Sequence, residues 1–475
     1  MHESTDRPNI FLIICDHLST RVVGRYGEGS DCTPNINAIA EDGVTFANAY
    51  TPCPLCMPAR AAFWSSLYPH QTRVQSNGRK HDNGPLPDDL STMGTVFSDA
   101  GYRCMHFGKT HDFGTLKGFE TAEQKAIPSP TPPHPAWPEN NDTLRDNYTV
   151  QECEKWLRSP PENEPFFCVA DLQNPHNICG WVGENNSMET PVNPVPIPGE
   201  LPELPDNFSS EDLQQRPVPV QYICCTHNRQ AQTQNWTREN YRHYVAAFQH
   251  YSRRVDAEIG RLMSALEAGG NAENTIVVVM ADHGDSQASH GLVTKQVHFY
   301  EETARVPLIF AGPGIRRQPD LAPPLASLLD LMPTFCGLTG TPMPDGKQGL
   351  SLAPYLADGT PPEREYVASE WFTEWGFEYS PGRMLRTERY KYTRYLEGSG
   401  EELYDLTEDP GEMHNLATVP QHQDILKRHR ELLQHHVVST NDDFFDLEVI
   451  VDPRWRSHQP GWQNHEGVPA PMAED

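Results

Sequence analysis

Three stretches of this chain place groups able to do chemistry at the start of a helix or directly after an apolar run. The first is Cys56-Met57-Pro58-Ala59-Arg60, continued by AAFWSSLYPHQTRV. Pro58 suits the first turn of a helix running through Ala61 to Leu67, which leaves Cys56 at the helix start. Free N–H groups and the helix dipole favour an anion there. Arg60 falls one turn on, within reach of an oxyanion at position 56. Such a cysteine can be a nucleophile; it can also be a small buried apolar residue ahead of a capped helix. The second and third stretches are acidic. Asp16 follows one apolar run and Asp282 another, and two carboxylates at neighbouring strand ends can hold Ca²⁺, a hard ion that takes six to eight oxygens. Taken singly, an Asp after a strand is more commonly a turn former or cap.

The elements that must position these groups are legible as three unbroken apolar runs. Ile10–Cys15 leads into Asp16-His17, Phe166–Ala170 into Asp171-Leu172-Gln173-Asn174-Pro175-His176, and Thr275–Met280 into Asp282-His283-Gly284. Runs of this kind are strands buried on both faces, hence a mostly parallel sheet covered by helices, with function collected beyond the carboxyl ends of the strands. Residues 241–268 carry Val245, Phe248, Val255, Ile259, Leu262 and Leu266 at helical spacing and stop at Gly269-Gly270, a helix that covers the sheet. Residues 186–236, rich in Pro, Asn and Gln, form long loops that shape a pocket. Beyond about residue 365 the texture changes. Residues 383–387 and 390–395 alternate like strands of a half-exposed antiparallel sheet, and 420–438 is one amphipathic helix. Two units follow: a catalytic α/β unit over 1–370 and a smaller α+β unit over 371–475, whose last twenty residues form an extended tail suited to packing on a second subunit in a homo-oligomer.

The chain has 475 residues, with 37 Lys and Arg against 65 Asp and Glu, a formal net charge of −28. That balance argues against nucleic acid or an anionic membrane as partner, and an anionic substrate would need a local cluster of cations. The first apolar run is far short of the roughly 20 residues of a membrane span. The expected location is cytoplasmic, or periplasmic or secreted if a signal was removed before residue 1. Eleven cysteines are scattered without a compact framework, which leans toward a reducing compartment; the Cys224-Cys225 pair receives no role.

Cys-x-Pro-x-Arg, as Cys56-Met57-Pro58-Ala59-Arg60, resembles the signature of the type I sulfatases, members of the alkaline phosphatase superfamily. Cys53, upstream, lacks the Pro and Arg spacing. Other segments resemble the family in the same order: Arg7-Pro8-Asn9-Ile10 leading to Asp16; Gly101-Tyr102 with Gly108-Lys109-Thr110-His111, similar to GY…GKWH with Thr110 for Trp; Asn174-Pro175-His176; Asp282-His283-Gly284 with Tyr300-Glu301-Glu302 and Arg305–Ile309; and Glu402–Leu406 with Asp409-Pro410 and Asn415-Leu416. The resemblance spans about residues 7–417 and implies an alkaline phosphatase-like fold with a smaller C-terminal α+β domain.

It also implies a mechanism. Cys56 is oxidised by a formylglycine-generating maturation enzyme to formylglycine, whose hydrate is a geminal diol. One diol oxygen, on the metal and held by Arg60, attacks sulfur. His176 protonates the leaving alcohol, His111 deprotonates the second diol oxygen to expel sulfate, and Lys109 and Lys295 face the transition-state oxygens. Lys295 lies five residues before Tyr300 where the family pattern has about four, and His298 is the alternative. The metal, expected to be Ca²⁺, falls to Asp16, Asp282, His283 and residue 56. The family has Asp or Gln at position 17, so His17, a softer donor, either ligates or only lines the site. A sulfated sugar is the implied substrate, with Asn77, Arg79, His81, Trp181, His227, Arg229, Trp371 and Trp375 as specificity candidates; choline sulfate would want an aromatic cage. The competing functions are phosphonate monoester or phosphodiester hydrolysis through the same nucleophile, and an inactive binding protein on the same scaffold.

Overall fold

A computed structural model describes residues 7–27, 32–77, 83–122, 141–161, 163–185, 199–209, 216–217, 219–220, 233, 236–295, 298–372, 378–379, 381–396, 400–447 and 450–451. The three apolar runs are the centre of an eight-stranded sheet. Its strands are β1 (Asn9–Cys15), β2 (Gly43–Tyr50), β3 (Arg103–Gly108), β4 (Glu120–Thr121), β5 (Phe166–Leu172), β6 (Thr275–Met280), β7 (Leu308–Ala311) and β8 (Ala322–Ser327), in the order β4-β3-β5-β1-β6-β7-β2-β8. β1 pairs in parallel with β5 and β6, in register from Ile10 opposite Phe167 and from Asn9 opposite Thr275. Only β7 runs antiparallel to its neighbours β6 and β2. Every residue of β1, β5 and β6 is buried, which is why these strands read as continuous apolar runs without alternation.

The covering helix begins at Arg238, three residues before the periodicity suggests, and ends at Ala268. Thr237 caps it, its hydroxyl accepting from the Asn240 amide at 3.3 Å while Asn240 Oδ1 accepts from the Thr237 amide at 2.9 Å. The buried face carries Tyr244, Val245, Phe248, Val255, Ile259, Leu262 and Leu266.

The smaller sheet contains β9 (Val367–Trp371), β11 (Gly382–Arg386), β12 (Tyr390–Tyr395) and β13 (Glu401–Asp405), all antiparallel, beside a short pair of β10 (Glu378–Tyr379) and β14 (Ile450–Val451). Its first strand spans the expected division at 370/371. The helix expected at 420–438 is Gln423–Thr440. One expectation is corrected: β11 is not half-exposed but buried along its whole length. Met384, with Trp371, Tyr395 and Tyr404, packs on Tyr50, Leu55 and Phe299 of the larger unit. Leu385, with Tyr392 and Leu403, packs on Leu426, Leu432, Leu433 and Val437 of the C-terminal helix. Each such side chain contributes about 1.5–3 kcal/mol on burial, so the small sheet is fastened from both sides.

Candidate active site

Parallel register brings the carboxyl ends of β1, β5 and β6 together, and the helix Cys56–Ser65 points its start at that edge. Cys56 is the helix's first residue and is 1 % exposed. Leu55 ahead of it is extended and has no side chain to cap the orphan amides. Asn77 supplies one acceptor, taking the Met57 amide on Oδ1 at 3.1 Å. Asn77, expected to contact substrate, therefore holds the nucleophile's helix start. Burial pushes the Cys56 thiol up to about 11, against the pull of Lys295, which hydrogen-bonds to it, and of Arg60.

Three fully buried carboxylates converge on Arg60. Its Nε donates to Asp282 Oδ2 at 2.9 Å, Nη1 to Asp171 Oδ2 at 2.5 Å and Nη2 to Asp16 Oδ2 at 3.5 Å. The guanidinium is completely buried, and Asp171 and Asp282 hold it firmly charged despite that. Arg60 thus knits together the ends of three strands, a larger task than holding an oxyanion at residue 56. Lys109 pairs with the same oxygen of Asp16, Oδ2. Asp171 received no role from the sequence, although it follows an apolar run just as Asp16 does; in the fold β5 continues through it to Leu172.

The donor set fits a hard divalent cation. Asp16, Cys56, Asp282 and His283 each offer an atom within 4.8 Å of the others, and all four are buried. Cys56 Sγ lies 3.1 Å from His283 Nε2 and 3.8 Å from Asp16 Oδ1. His283 Nδ1 is 3.0 Å from the Gly284 carbonyl, which can only accept, so the proton sits on Nδ1 and the Nε2 lone pair faces the cluster. Burial, aided by Lys295, pushes His283 down to about 3 and keeps the ring neutral, as a ligand must be. Asp282 stays well ionised in spite of burial, through the cations Arg60, Lys109 and Lys295 and the backbone amide of His283, which donates to Oδ1 at 3.0 Å.

His17 points elsewhere. Its backbone has φ 78° and its amide donates to Asp282 Oδ1 at 3.2 Å. The ring puts Nε2 3.2 Å from Asp285 Oδ2 and Nδ1 3.8 Å from Cys179 Sγ. Of the two expectations for His17, lining matches this geometry and ligation to the acidic cluster does not. The ring stacks edge-on to His283 at 4.7 Å between centroids and leans on His176 at 5.4 Å. His176 itself is partly exposed and meets Gln173 Nε2 through Nδ1 at 3.1 Å. His111 is pushed down to about 3 by burial and by Lys109, Arg60 and Lys295, which places it in the same electrostatic field. Lys295 is 2 % exposed and engages Cys56, whereas His298 sits against Ser286 at 3.2 Å and stacks on Tyr300. Of Lys295 and His298, it is Lys295 that stands at Cys56.

Two specificity candidates are corrected. Trp181 is 1 % exposed, packed edge-on to Trp236 at 5.8 Å and beside Tyr244, because its helix packs on the long covering helix. Trp371 is 3 % exposed on β9, in the seam between the two units. Neither ring offers a face to a ligand. Arg79, His81, His227, Arg229, Trp375, the Cys224-Cys225 pair and the tail beyond Val451 lie outside the described residues.

The chain that carries this cluster of Cys, Asp, His, Arg and Lys has clear relatives among known proteins. The sulfatase family pattern matches residues 8–341, and that of the N-sulphoglucosamine sulphohydrolase C-terminal region matches 288–439. This chain belongs to the sulfatase family. The sulfatase is 49% identical over 468 residues to a Delta 4,5-hexuronate-2-O-sulfatase of Bacteroides thetaiotaomicron, covering 98% of this chain and 96% of that one. The structure of a 2-O GAG sulfatase superposes with a TM-score of 0.91 at 49% identity, over 98% of this chain and 99% of that chain. A phosphonate monoester hydrolase of Agrobacterium radiobacter shares the fold, with a TM-score of 0.73 at 22% identity over 93% and 97%. The sulfatase is thus a sulfuric ester hydrolase on an alkaline phosphatase-like scaffold. Among the described residues, no helix is long and apolar enough to cross a membrane.

Proposed function

We propose that this sulfatase removes the 2-O-sulfate from a hexuronate at the end of a glycosaminoglycan-derived saccharide. The observation that carries the reading is the 49% identity to a Delta 4,5-hexuronate-2-O-sulfatase along nearly the whole of both chains. The chemistry suits it: such a sugar carries a carboxylate beside its sulfate, and a chain of net charge −28 must bind it with the local cations Lys109 and Lys295.

Oxidation of Cys56 to formylglycine by a maturation enzyme would turn its CH2–SH group into an aldehyde with loss of the sulfur; one hydroxyl of the hydrate would attack the ester sulfur as the alcohol leaves, and deprotonation of the other would re-form C=O and break the C–O bond to sulfate. Asp16, Asp282 and His283 would hold one divalent cation, proposed as Ca²⁺, which neutralises charge on the sulfate ester. Around these groups the chain's own residues divide the work. Arg60 fixes Asp16 and Asp282 through their Oδ2 atoms and leaves their Oδ1 atoms for the cation. Lys295 and Lys109 stabilise charge on the sulfuryl oxygens. His176, partly exposed at the mouth, gives a proton to the leaving alcohol, and neutral His111 takes one from residue 56.

The test is a panel of unsaturated disaccharides sulfated at one defined position each, with sulfate release followed by ion chromatography. Release from the 2-O-sulfated uronate and not from N- or 6-O-sulfated glucosamine is expected. Equal release from all, or faster turnover of an aryl phosphonate than of any sulfate, would overturn the assignment.

A further inference from the structure

Beside the acidic cluster lies a second group of ligating atoms with different chemistry. His17, His176 and Cys179 bring ring nitrogens and a thiol within 4.8 Å of one another. Nδ1 of His17 and Sγ of Cys179 are 3.8 Å apart. Tetrahedral zinc, with bonds near 2.0 Å to nitrogen and 2.3 Å to sulfur, needs about 3.6 Å between such a pair. The other nitrogen of His17 lies 3.2 Å from Asp285 Oδ2. Asp285 is itself held, accepting on Oδ1 from the Tyr244 hydroxyl at 2.5 Å and from the Gln287 amide at 2.8 Å. His17 adopts a positive φ, 78°, and its ring stands between Cys179 and Asp285. His17 and Cys179 are buried while His176 is partly exposed, which gives an ion a way in.

We propose that His17, His176 and Cys179 form an inhibitory site for a borderline-soft divalent cation, of which Zn²⁺ is the type, distinct from the hard-ion site at Asp16, Asp282 and His283. Nitrogen and sulfur donors select Zn²⁺ over Ca²⁺, and two carboxylates select the reverse, so the two sites discriminate by donor chemistry. Occupancy engages His176 and removes the proton donor. That consequence rests on the role given to His176 above; the binding does not.

Binding is therefore tested apart from catalysis. The Cys56→Ser protein, saturated with Ca²⁺, is titrated with Co²⁺ as a spectroscopic substitute, and the thiolate-to-cobalt absorption is recorded. One equivalent of Co²⁺ should give the band, Zn²⁺ should bleach it, and Cys179→Ser in the same background should lack it. A band that survives Cys179→Ser or Cys179→Ala, or none in the parent, would refute the site. In mature enzyme with excess Ca²⁺, micromolar Zn²⁺ should inhibit. Cys179→Ser should need at least tenfold more Zn²⁺, with kcat/KM in its absence within about twofold of wild type. A cobalt band without Zn²⁺ inhibition would keep the site and overturn its inhibitory role together with the proton-donor role of His176. Equal Zn²⁺ sensitivity in both proteins would overturn inhibition through Cys179.

Discussion

Arg60 Nη1 stands 2.5 Å from Asp171 Oδ2, with both side chains withdrawn from solvent. The pair ties the nucleophile's helix to β5, while the same guanidinium grips Asp282 beyond β6. Asp171→Asn should cost about 3 kcal/mol in stability, because one buried charge loses a partner while Asp16 and Asp282 keep Arg60 compensated. It should also lower kcat at least tenfold through displacement of Asp282. Chemical denaturation and steady-state kinetics check both; an unchanged denaturation midpoint with unchanged kcat would show the pair to be dispensable.

Cys56→Ala and Cys56→Ser should abolish sulfate release and leave the denaturation midpoint within about 1 kcal/mol of wild type, since a helix-start residue tolerates both. Mass analysis of the peptide holding residue 56 from active enzyme should show the thiol replaced by an aldehyde. An intact thiol in enzyme of full activity would remove formylglycine from the mechanism.

Asp282→Asn should weaken the divalent site by 10- to 100-fold or more, and chelation should remove activity that Ca²⁺ restores. His17→Ala should leave Ca²⁺ stoichiometry at one per chain and shift its affinity less than threefold, because the ring of His17 faces Asp285 and Cys179. Calorimetric titration of Ca²⁺ into both variants separates these outcomes. A loss in His17→Ala as large as in Asp282→Asn would restore His17 to the ligand set.

The contrast between Asp16 and His17 shows where sequence stops being readable. Buried parallel strands declare themselves by uninterrupted apolar runs, so β1, β5 and β6 and the carboxylates after β1 and β6 were legible. Which way a side chain turns one residue further on depends on a backbone angle, φ 78° at His17, and on partners more than a hundred residues distant. Asp171 hid for a related reason: it follows its run just as Asp16 does, and only contact with Arg60, 111 residues away in sequence, gives it a role. Trp181 misled because tryptophan near a site can stack on a sugar or fill a core, and only packing against Trp236 and Tyr244 decides. In the small sheet, polar letters at Arg383, Arg386 and Lys391 suggested a wet face. All three are buried through pairing with Asp442, Tyr50 and Glu301, which no local pattern reveals.

Stability at the seam between the two units should depend on pH through His70. Its Nδ1 lies 2.7 Å from Glu370 Oε1, its amide donates to Oε2 at 3.1 Å, and its Nε2 meets the Thr440 carbonyl at 3.1 Å. Both ring nitrogens thus face groups that only accept, which favours imidazolium. Burial works against that charge, yet Glu370, with Asp442 4.0 Å away, lifts His70 above its ordinary 6.5. Burial likewise opposes ionisation of Glu370, but His70 and Arg383 bring it down to about 2 from 4.5. A raised histidine contributes fully below pH 6.5 and loses the contribution as pH climbs through its raised value. A depressed carboxylate contributes above 4.5 and loses it as pH falls toward 2. The clasp is therefore strongest between about pH 4.5 and 6.5. His70→Gln should be less stable than wild type by about 2 kcal/mol at pH 6, and the gap should narrow by at least half at pH 9. Urea midpoints at the two pH values measure it, and a gap that is the same at both would show that His70 is neutral in the fold.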